Sequence, residues 1–330
     1  MIDRIDSQSN GRARIGWRGA GLAALIAMLF ALALAAAPSL SLAAAAKQTT
    51  FTTAEAAMEA FAAALKAHDL ATLERILGPG AKDILESGDP IEDKAARERF
   101  TAAYESSHKL SLVLPTNATI MVGADDWPFP VPLVKDASAW RFDVREGKEE
   151  LLNRRIGRNE LWTQQAVLAY VDAQREYYAR NPQNGKVLEY AQKFVSSDGK
   201  RDGLYFPTAA GEKPSPLGPL FDAQRAAGYV QNSGGKPGAY HGYYYRILKG
   251  QGRNAKAGAY DYVVKDRMIG GYALVAYPEA YGSSGIMTFI VNYEGLVYEK
   301  DLGADTAQIA QKMMHYDPDA TWTQSKSGGL

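Results

Sequence analysis

Residues 19–37 carry no charge and are built only from Gly, Ala, Leu, Ile, Met and Phe, with Arg12, Arg14 and Arg18 before them and Pro38 after. A basic stretch, an apolar run and the small residues Ser41-Leu42-Ala43-Ala44-Ala45-Ala46 read together as a Sec-type secretory leader cleaved near Ala46. The alternative is an inner-membrane anchor through residues 19–37, a run close to the length that spans a bilayer. Its alanine richness favours cleavage, because alanine gains little free energy on insertion compared with Leu, Ile or Phe. The remainder is expected to fold in the periplasm or outside the cell, where disulfides are the usual staples of small domains. This chain has no cysteine. Disulfides, thiolate metal ligands and a cysteine nucleophile are thereby excluded, and stability has to come from burial.

A chain of 330 residues is long enough for about two domains. Its 37 basic and 37 acidic side chains balance, and removing the leader's four arginines and two aspartates leaves 33 against 35. Nucleic-acid binding needs a basic field that such a chain lacks. No membrane contact is expected once the leader is gone.

Helical signals come first. Thr52-Thr53-Ala54-Glu55 matches a capping box with Thr52 as the cap, and Met58, Phe61 and Leu65 follow on one face. Asp69 is placed to cap a second helix through Leu70, Leu73, Ile76 and Leu77, stopped by Gly78-Pro79-Gly80. A third helix is expected over Glu92–His108. Short apolar or alternating runs then predict strands at Leu110–Leu114, Thr119–Val122, Val131–Val134 and Trp140–Val144. Helices followed by an antiparallel sheet make an α+β domain over residues 50–150.

Arg154-Arg155-Ile156-Gly157-Arg158-Asn159 reads as a junction, after which Leu161 through Tyr178 carries the longest helical pattern, closed by Asn181-Pro182. Strands rich in Tyr and Val are predicted at Tyr243–Ile247, Tyr260–Val264, Tyr272–Ala276, Met287–Val291 and Leu296–Tyr298. Between helix and strands, residues 196–238 are dense in Gly and Pro and are expected to form an ordered excursion with a short helix near Leu220–Tyr229. A last helix is expected over Ala304–Met314. The second α+β domain spans 151–318, with 319–330 as a flexible tail.

Five stretches occur in order: Trp127-Pro128-Phe129-Pro130-Val131-Pro132-Leu133-Val134, Arg154 to Leu161, Asp202-Gly203-Leu204-Tyr205, Ser215-Pro216-Leu217-Gly218-Pro219 and Tyr240-His241-Gly242-Tyr243-Tyr244. In this the chain resembles the bacterial exported-protein family called domain of unknown function 2950, over nearly all of its mature length. That family implies no activity. A second resemblance concerns shape: the long helix ending in Ala173-Gln174-Arg175-Glu176-Tyr177, then Gly242 to Tyr245, Ala276-Tyr277-Pro278 and Gly285 to Val291, is similar to the head of type IV pilin-like proteins, a helix packed on an antiparallel sheet. Pilins carry their apolar stalk directly on that helix, and here about a hundred residues intervene, so the resemblance implies fold and not fibre assembly. The first domain is similar to cone-shaped nuclear-transport-factor-like folds, which implies a pocket.

Catalytic signatures are absent from the sequence: His68, His108, His241 and His315 lie far apart, and no nucleophile elbow, P-loop or dinucleotide fingerprint occurs. No cofactor is expected, Ca²⁺ aside. Asp198 and Asp202, in a glycine-flanked loop, have the oxygen chemistry for Ca²⁺, although Lys200 and Arg201 fit a plain turn better. Arg154, Arg155 and Arg158 with Glu160 form a charged cluster that either clamps a carboxylate or phosphate or pairs internally with Glu149, Glu150 or Asp143. Tyr240, His241, Tyr243 and Tyr244, with Tyr245, Tyr260, Tyr262, Tyr272, Tyr277 and Tyr281, give the second half a density of tyrosine that suits either a core or a glycan- or peptide-binding face. The expectation is a non-catalytic binding or structural module of the cell envelope, with an envelope protein, glycan or peptide as partner. The alternative is a periplasmic hydrolase drawing an acid–base pair from Asp202, His241 or Glu160 in an interdomain cleft. N-terminal sequencing of the exported protein from its native host is expected to begin at or next to Lys47; an intact leader on the exported material would establish the anchored form instead.

Overall fold

A computed structural model describes residues 47–86, 90–226 and 238–326 of the chain. The expected leader with its expected cleavage position, the far end of the helix expected near Leu220–Tyr229, and residues 327–330 lie outside the described residues. The described residues from Thr49 onward form one compact unit with the expected α+β character.

Helix α1 (Ala54–Lys66) is capped one residue later than the capping box suggests: the Thr53 hydroxyl accepts from the N–H of Ala56 at 3.1 Å. Asp69 caps α2 (Leu70–Leu77) as expected, accepting from Thr72 N–H at 2.9 Å, and Gly78 ends it at positive φ. Helices α3 (Lys82–Leu85) and α4 (Pro90–Ser106) follow. Strands β1 (His108–Leu114), β2 (Asn117–Val122), β3 (Trp127–Pro128), β4 (Leu133–Asp136) and β5 (Ala139–Phe142) build an antiparallel sheet ordered β1-β2-β4-β5, with β3 beside β2. Alternation along β2 buries Ala118, Ile120 and Val122 against α1, α2 and the ring of Phe61, which lies 5.0 Å from Phe129 and 5.1 Å from Phe142. At the sheet edge, β1 leaves Leu112, Val113 and Leu114 exposed.

Helix α5 overturns the expected junction. It runs without interruption from Val144 to Arg180, 37 residues, so Arg154–Asn159 lies in its middle and the boundary expected at 150/151 falls inside one helix. Its start is set by Asp143, which accepts from Glu146 N–H at 3.1 Å and cuts short the strand expected to reach Val144. Asn181, at φ 45°, ends it. Gly147 does not break the helix but lets it lie on Val131: a Cβ there would come within 2.7 Å of that side chain. One apolar core, from Ala54 to Val144, sits at the start of α5, and a second, from Val167 to Tyr316, along its last third.

The second core is built on a five-stranded antiparallel sheet ordered β15-β13-β12-β11-β6, comprising β6 (Tyr243–Leu248), β11 (Ala273–Pro278), β12 (Met287–Asn292), β13 (Tyr298–Asp301) and β15 (Thr323–Gln324). Pairing puts Tyr243, Tyr245 and Ile247 on one face with Leu274, Ala276, Phe289 and Val291, and Tyr244 and Arg246 on the other with Val275, Tyr277 and Ile290. Helix α5 covers the first face: Tyr245 Oη donates to Thr163 at 3.4 Å, and Tyr170 Oη to the carbonyl of Ala273 at 3.3 Å. Helix α7 (Thr306–Lys312) covers the second, where Arg246 donates to the carbonyls of Ala310 and Met313 and so caps the end of α7 with positive charge. The tail expected to be flexible is ordered as far as Ser325: β15 pairs with β13, and Ser325 N–H donates to Val297 at 2.9 Å.

The strand expected over Tyr260–Val264 is split. β8 (Tyr260–Asp261) joins β7 (Gly250–Gln251) and the parallel β14 (His315–Tyr316), while β9 (Val263–Val264) turns into a hairpin with β10 (Arg267–Met268). Helix α6 (Gly218–Ala226) lies in the excursion, as expected. The β9–β10 loop is the two-residue form in which both central residues adopt positive φ, and it uses Lys265 at 48° and Asp266 at 62° where glycine or asparagine is preferred. Asp266→Gly is therefore expected to raise stability by about 1 kcal/mol in urea unfolding, through relief of the left-handed strain.

Candidate binding platform on the long helix

The middle of α5 is polar, and three of its side chains tie it to other elements. Arg154 Nε pairs with Glu150 at 2.7 Å, one turn back, while an Nη donates to the carbonyl of Pro128 at 2.9 Å. Its guanidinium lies 5.1 Å from the ring of Trp127, so this arginine fastens β3 to the helix. Asn159 donates to the carbonyl of Ser284 at 2.8 Å. Glu160 Oε1 accepts from two successive backbone N–H groups, Ile286 at 2.9 Å and Met287 at 3.0 Å, at the start of β12. Glu160 and Asn159 thus tie the helix to the loop that feeds the sheet.

Residues 240–243 form a tight turn by the same physics as the β9–β10 hairpin. Tyr240 and Tyr243 exchange backbone hydrogen bonds at 2.8 and 3.1 Å, and the two residues between them, His241 at φ 49° and Gly242 at φ 73°, are both left-handed. Gly242 is required twice over, since a Cβ would also come within 2.8 Å of Asn159 Nδ2 and of Ser284. The turn places the His241 imidazole on the indole of Trp162, with centroids 4.9 Å apart and planes within 7°, and the ring of Tyr240 tilts against it at 4.2 Å. Burial lowers the pKa of His241 below the ordinary histidine value, which keeps the ring neutral at neutral pH.

The outer face of this stack is open. Trp162 is 49% exposed and Leu161 54%. Arg158 and Arg155 precede Trp162 by four and seven residues, the spacing of one helix face, and both are exposed with no hydrogen bond or ion pair among the described residues.

Of the residues singled out in the sequence, Arg155, Arg158 and His241 come to this platform, with Tyr240 buried beneath its edge. Glu160 and Arg154 hold its foundations. Tyr243 is fully buried and donates to the carbonyl of Met287 at 2.9 Å; burial and the nearby Glu160 carboxylate push its pKa up. It also fixes Gly285, where a Cβ would come within 2.1 Å of its hydroxyl. Tyr244 alternates to the opposite face of the sheet, and its hydroxyl reaches Glu279 at 3.0 Å. Trp162 is not among the residues that the sequence singles out. Its signal is an aromatic side chain four residues after Arg158, on the polar side of a helix whose apolar stripe is Val167, Tyr170 and Val171.

Asp198 and Asp202 behave differently from each other. Asp202 accepts from Lys193 Nζ at 2.8 Å, Ser197 N–H at 2.7 Å and Ser197 Oγ at 3.0 Å. Burial acts to raise its pKa, but these donors outweigh it and bring the carboxyl down to about 2. Asp198 is exposed at the loop tip, and no group of three His, Asp or Glu side chains among the described residues is arranged to hold a metal ion. No described helix is long and apolar enough to cross a membrane.

Glu160→Ala is expected to lower stability by about 2 kcal/mol in urea unfolding, because two backbone donors lose their acceptor. Glu160→Gln, which keeps an acceptor oxygen, is expected to cost less; equal losses would mean that the two hydrogen bonds contribute nothing.

A family model described as "Protein of unknown function (DUF2950)" matches residues 48–325. No curated protein and no solved structure matches the chain.

Proposed function

Since the chain belongs to the DUF2950 protein family, whose description names no activity, we propose from its own geometry that it is an exported, non-catalytic binding module of the cell envelope. The platform of Trp162, His241, Arg155 and Arg158 is its binding surface. The observation that carries this reading is Trp162: an indole half open to water, stacked flat on a neutral imidazole, on a helix fastened to the sheet by Asn159 and Glu160. A large amphipathic ring held rigidly binds at low entropic cost, because little freedom remains to be lost. Binding surfaces concentrate their energy in such aromatic and arginine anchors. Export is supported by the basic and apolar leader.

Hydrolysis is the weaker reading on this geometry. An acid–base pair drawn from Glu160 or Asp202 would use carboxylates already engaged, one by two backbone amides and the other by Lys193 and Ser197.

The test uses immobilised residues 47–330 exposed to cell-envelope fragments of the native host. Trp162→Ala is expected to lower retention on the order of tenfold, while Met314→Ala, which removes an even more exposed apolar side chain elsewhere, leaves it unchanged. Undiminished retention by Trp162→Ala removes the platform from the account. Turnover of an ester or glycoside by the wild-type chain replaces binding with catalysis.

A further inference from the structure

Resting on the binding reading above, we infer that the ligand class of the α5 platform is an acidic polysaccharide, one whose sugar rings carry carboxylates. Three observations lead there. The indole of Trp162 lies parallel to the imidazole of His241 within 7° and is half open to water, so it offers a flat ring face, the shape that the C–H side of a sugar ring covers best. Beside that face the charge is uncompensated: Arg154 is paired with Glu150, whereas Arg155 and Arg158 have no partner among the described residues. Glu160, the one carboxylate between them and Trp162, is turned onto the amides of Ile286 and Met287. A chain that balances its charges overall therefore has a local excess of two guanidinium groups next to an aromatic stack. Guanidinium forks match carboxylates in bidentate geometry.

Extent argues for a polymer over a single sugar. From Arg155 to Trp162 the helix rises roughly 10 Å, so stacking and charge contacts are spread along a line longer than one ring. Each contact is on an open helix face and modest by itself, and a chain that repeats ring and carboxylate gains from using several at once. An extended peptide would use other features: β6 is an edge strand, and a peptide added to it would draw on backbone hydrogen bonds without needing Arg155, Arg158 or the indole.

Affinity electrophoresis of residues 47–330 through gels containing polygalacturonate tests this, with neutral dextran gels and polymer-free gels as references. Retardation is expected in polygalacturonate and not in dextran, and it is expected to fall as salt is raised, since exposed charges are screened. Arg155→Gln with Arg158→Gln, and separately Trp162→Ala, are expected to weaken retardation on the order of tenfold after correction to the polymer-free gel. Arg155 and Arg158 have no hydrogen bond or ion pair among the described residues, so the urea midpoint of the double arginine variant is expected to stay at the wild-type value. Equal retardation of wild type and the double arginine variant overturns the assignment, as does retardation that dextran reproduces. Binding to anionic phospholipid vesicles or to an acidic peptide with no effect of polygalacturonate also overturns it. If Trp162→Ala loses envelope retention while polygalacturonate is ignored by the wild type, the ligand class falls and the platform stands; if envelope retention survives that substitution, the platform itself falls.

Discussion

Helix α5 belongs to two apolar cores, and the rest of the fold is organised by that double membership. At about 55 Å it is far longer than either core requires, and the residues it gives to the cores lie only at its start and from Val167 onward. Val144 closes the first core, and Val167, Tyr170, Val171 and Tyr177 enter the second. The stretch between has no continuous greasy stripe, so it is held by polar ties: Arg154 to Pro128 and Trp127, Asn159 to Ser284, and Glu160 to the amides of Ile286 and Met287. Replacing packing with hydrogen bonds in this way leaves the outer face of the helix free.

Local chemistry and long-range contact reinforce one another where the proposed binding surface forms. The 240–243 turn needs a glycine for its left-handed backbone, and the same glycine allows Asn159 and Ser284 to approach. Because that turn is fixed, the imidazole of His241 has a defined position, and the indole of Trp162 can lie flat on it. Tyr243 plays the complementary part beneath, packing on Gly285 and bonding to Met287 next to the residues that Glu160 holds. The platform is thus pre-organised by contacts between residues far apart in the chain, among them Asn159 with Ser284 and Thr163 with Tyr245.

Several elements were legible from residue order alone because their causes are local. Asp69 as a cap, Gly78 as a stop and the strand expected at Thr119–Val122, observed over Asn117–Val122, depend on neighbours a few positions away. Misreadings occurred where a local signal had two solutions. Arg154-Arg155-Ile156-Gly157-Arg158-Asn159 looks like the end of one unit and the start of another, since charges and a glycine usually mark a surface break; the chain instead runs through it as helix, started at Asp143 by a cap hidden behind a strand. The tyrosine-rich strands posed the same ambiguity. Alternation places Tyr243 and Tyr245 towards α5 and Tyr244 towards the far side, so one run of the sequence serves two faces.

What residue order determined by itself was the class of molecule: a cysteine-free α+β chain of balanced charge, whose family is shown by a model that matches residues 48–325. Those properties are sums and short-range patterns, and they hold in any compact arrangement of the chain. Only the tertiary structure decided which polar side chains are structural and which are presented to solvent. Glu160 and Arg158 look alike in the sequence, two charges two residues apart, but a helix turns about 200° between them. One reaches the backbone of a strand more than a hundred residues away, and the other is left facing water beside Trp162.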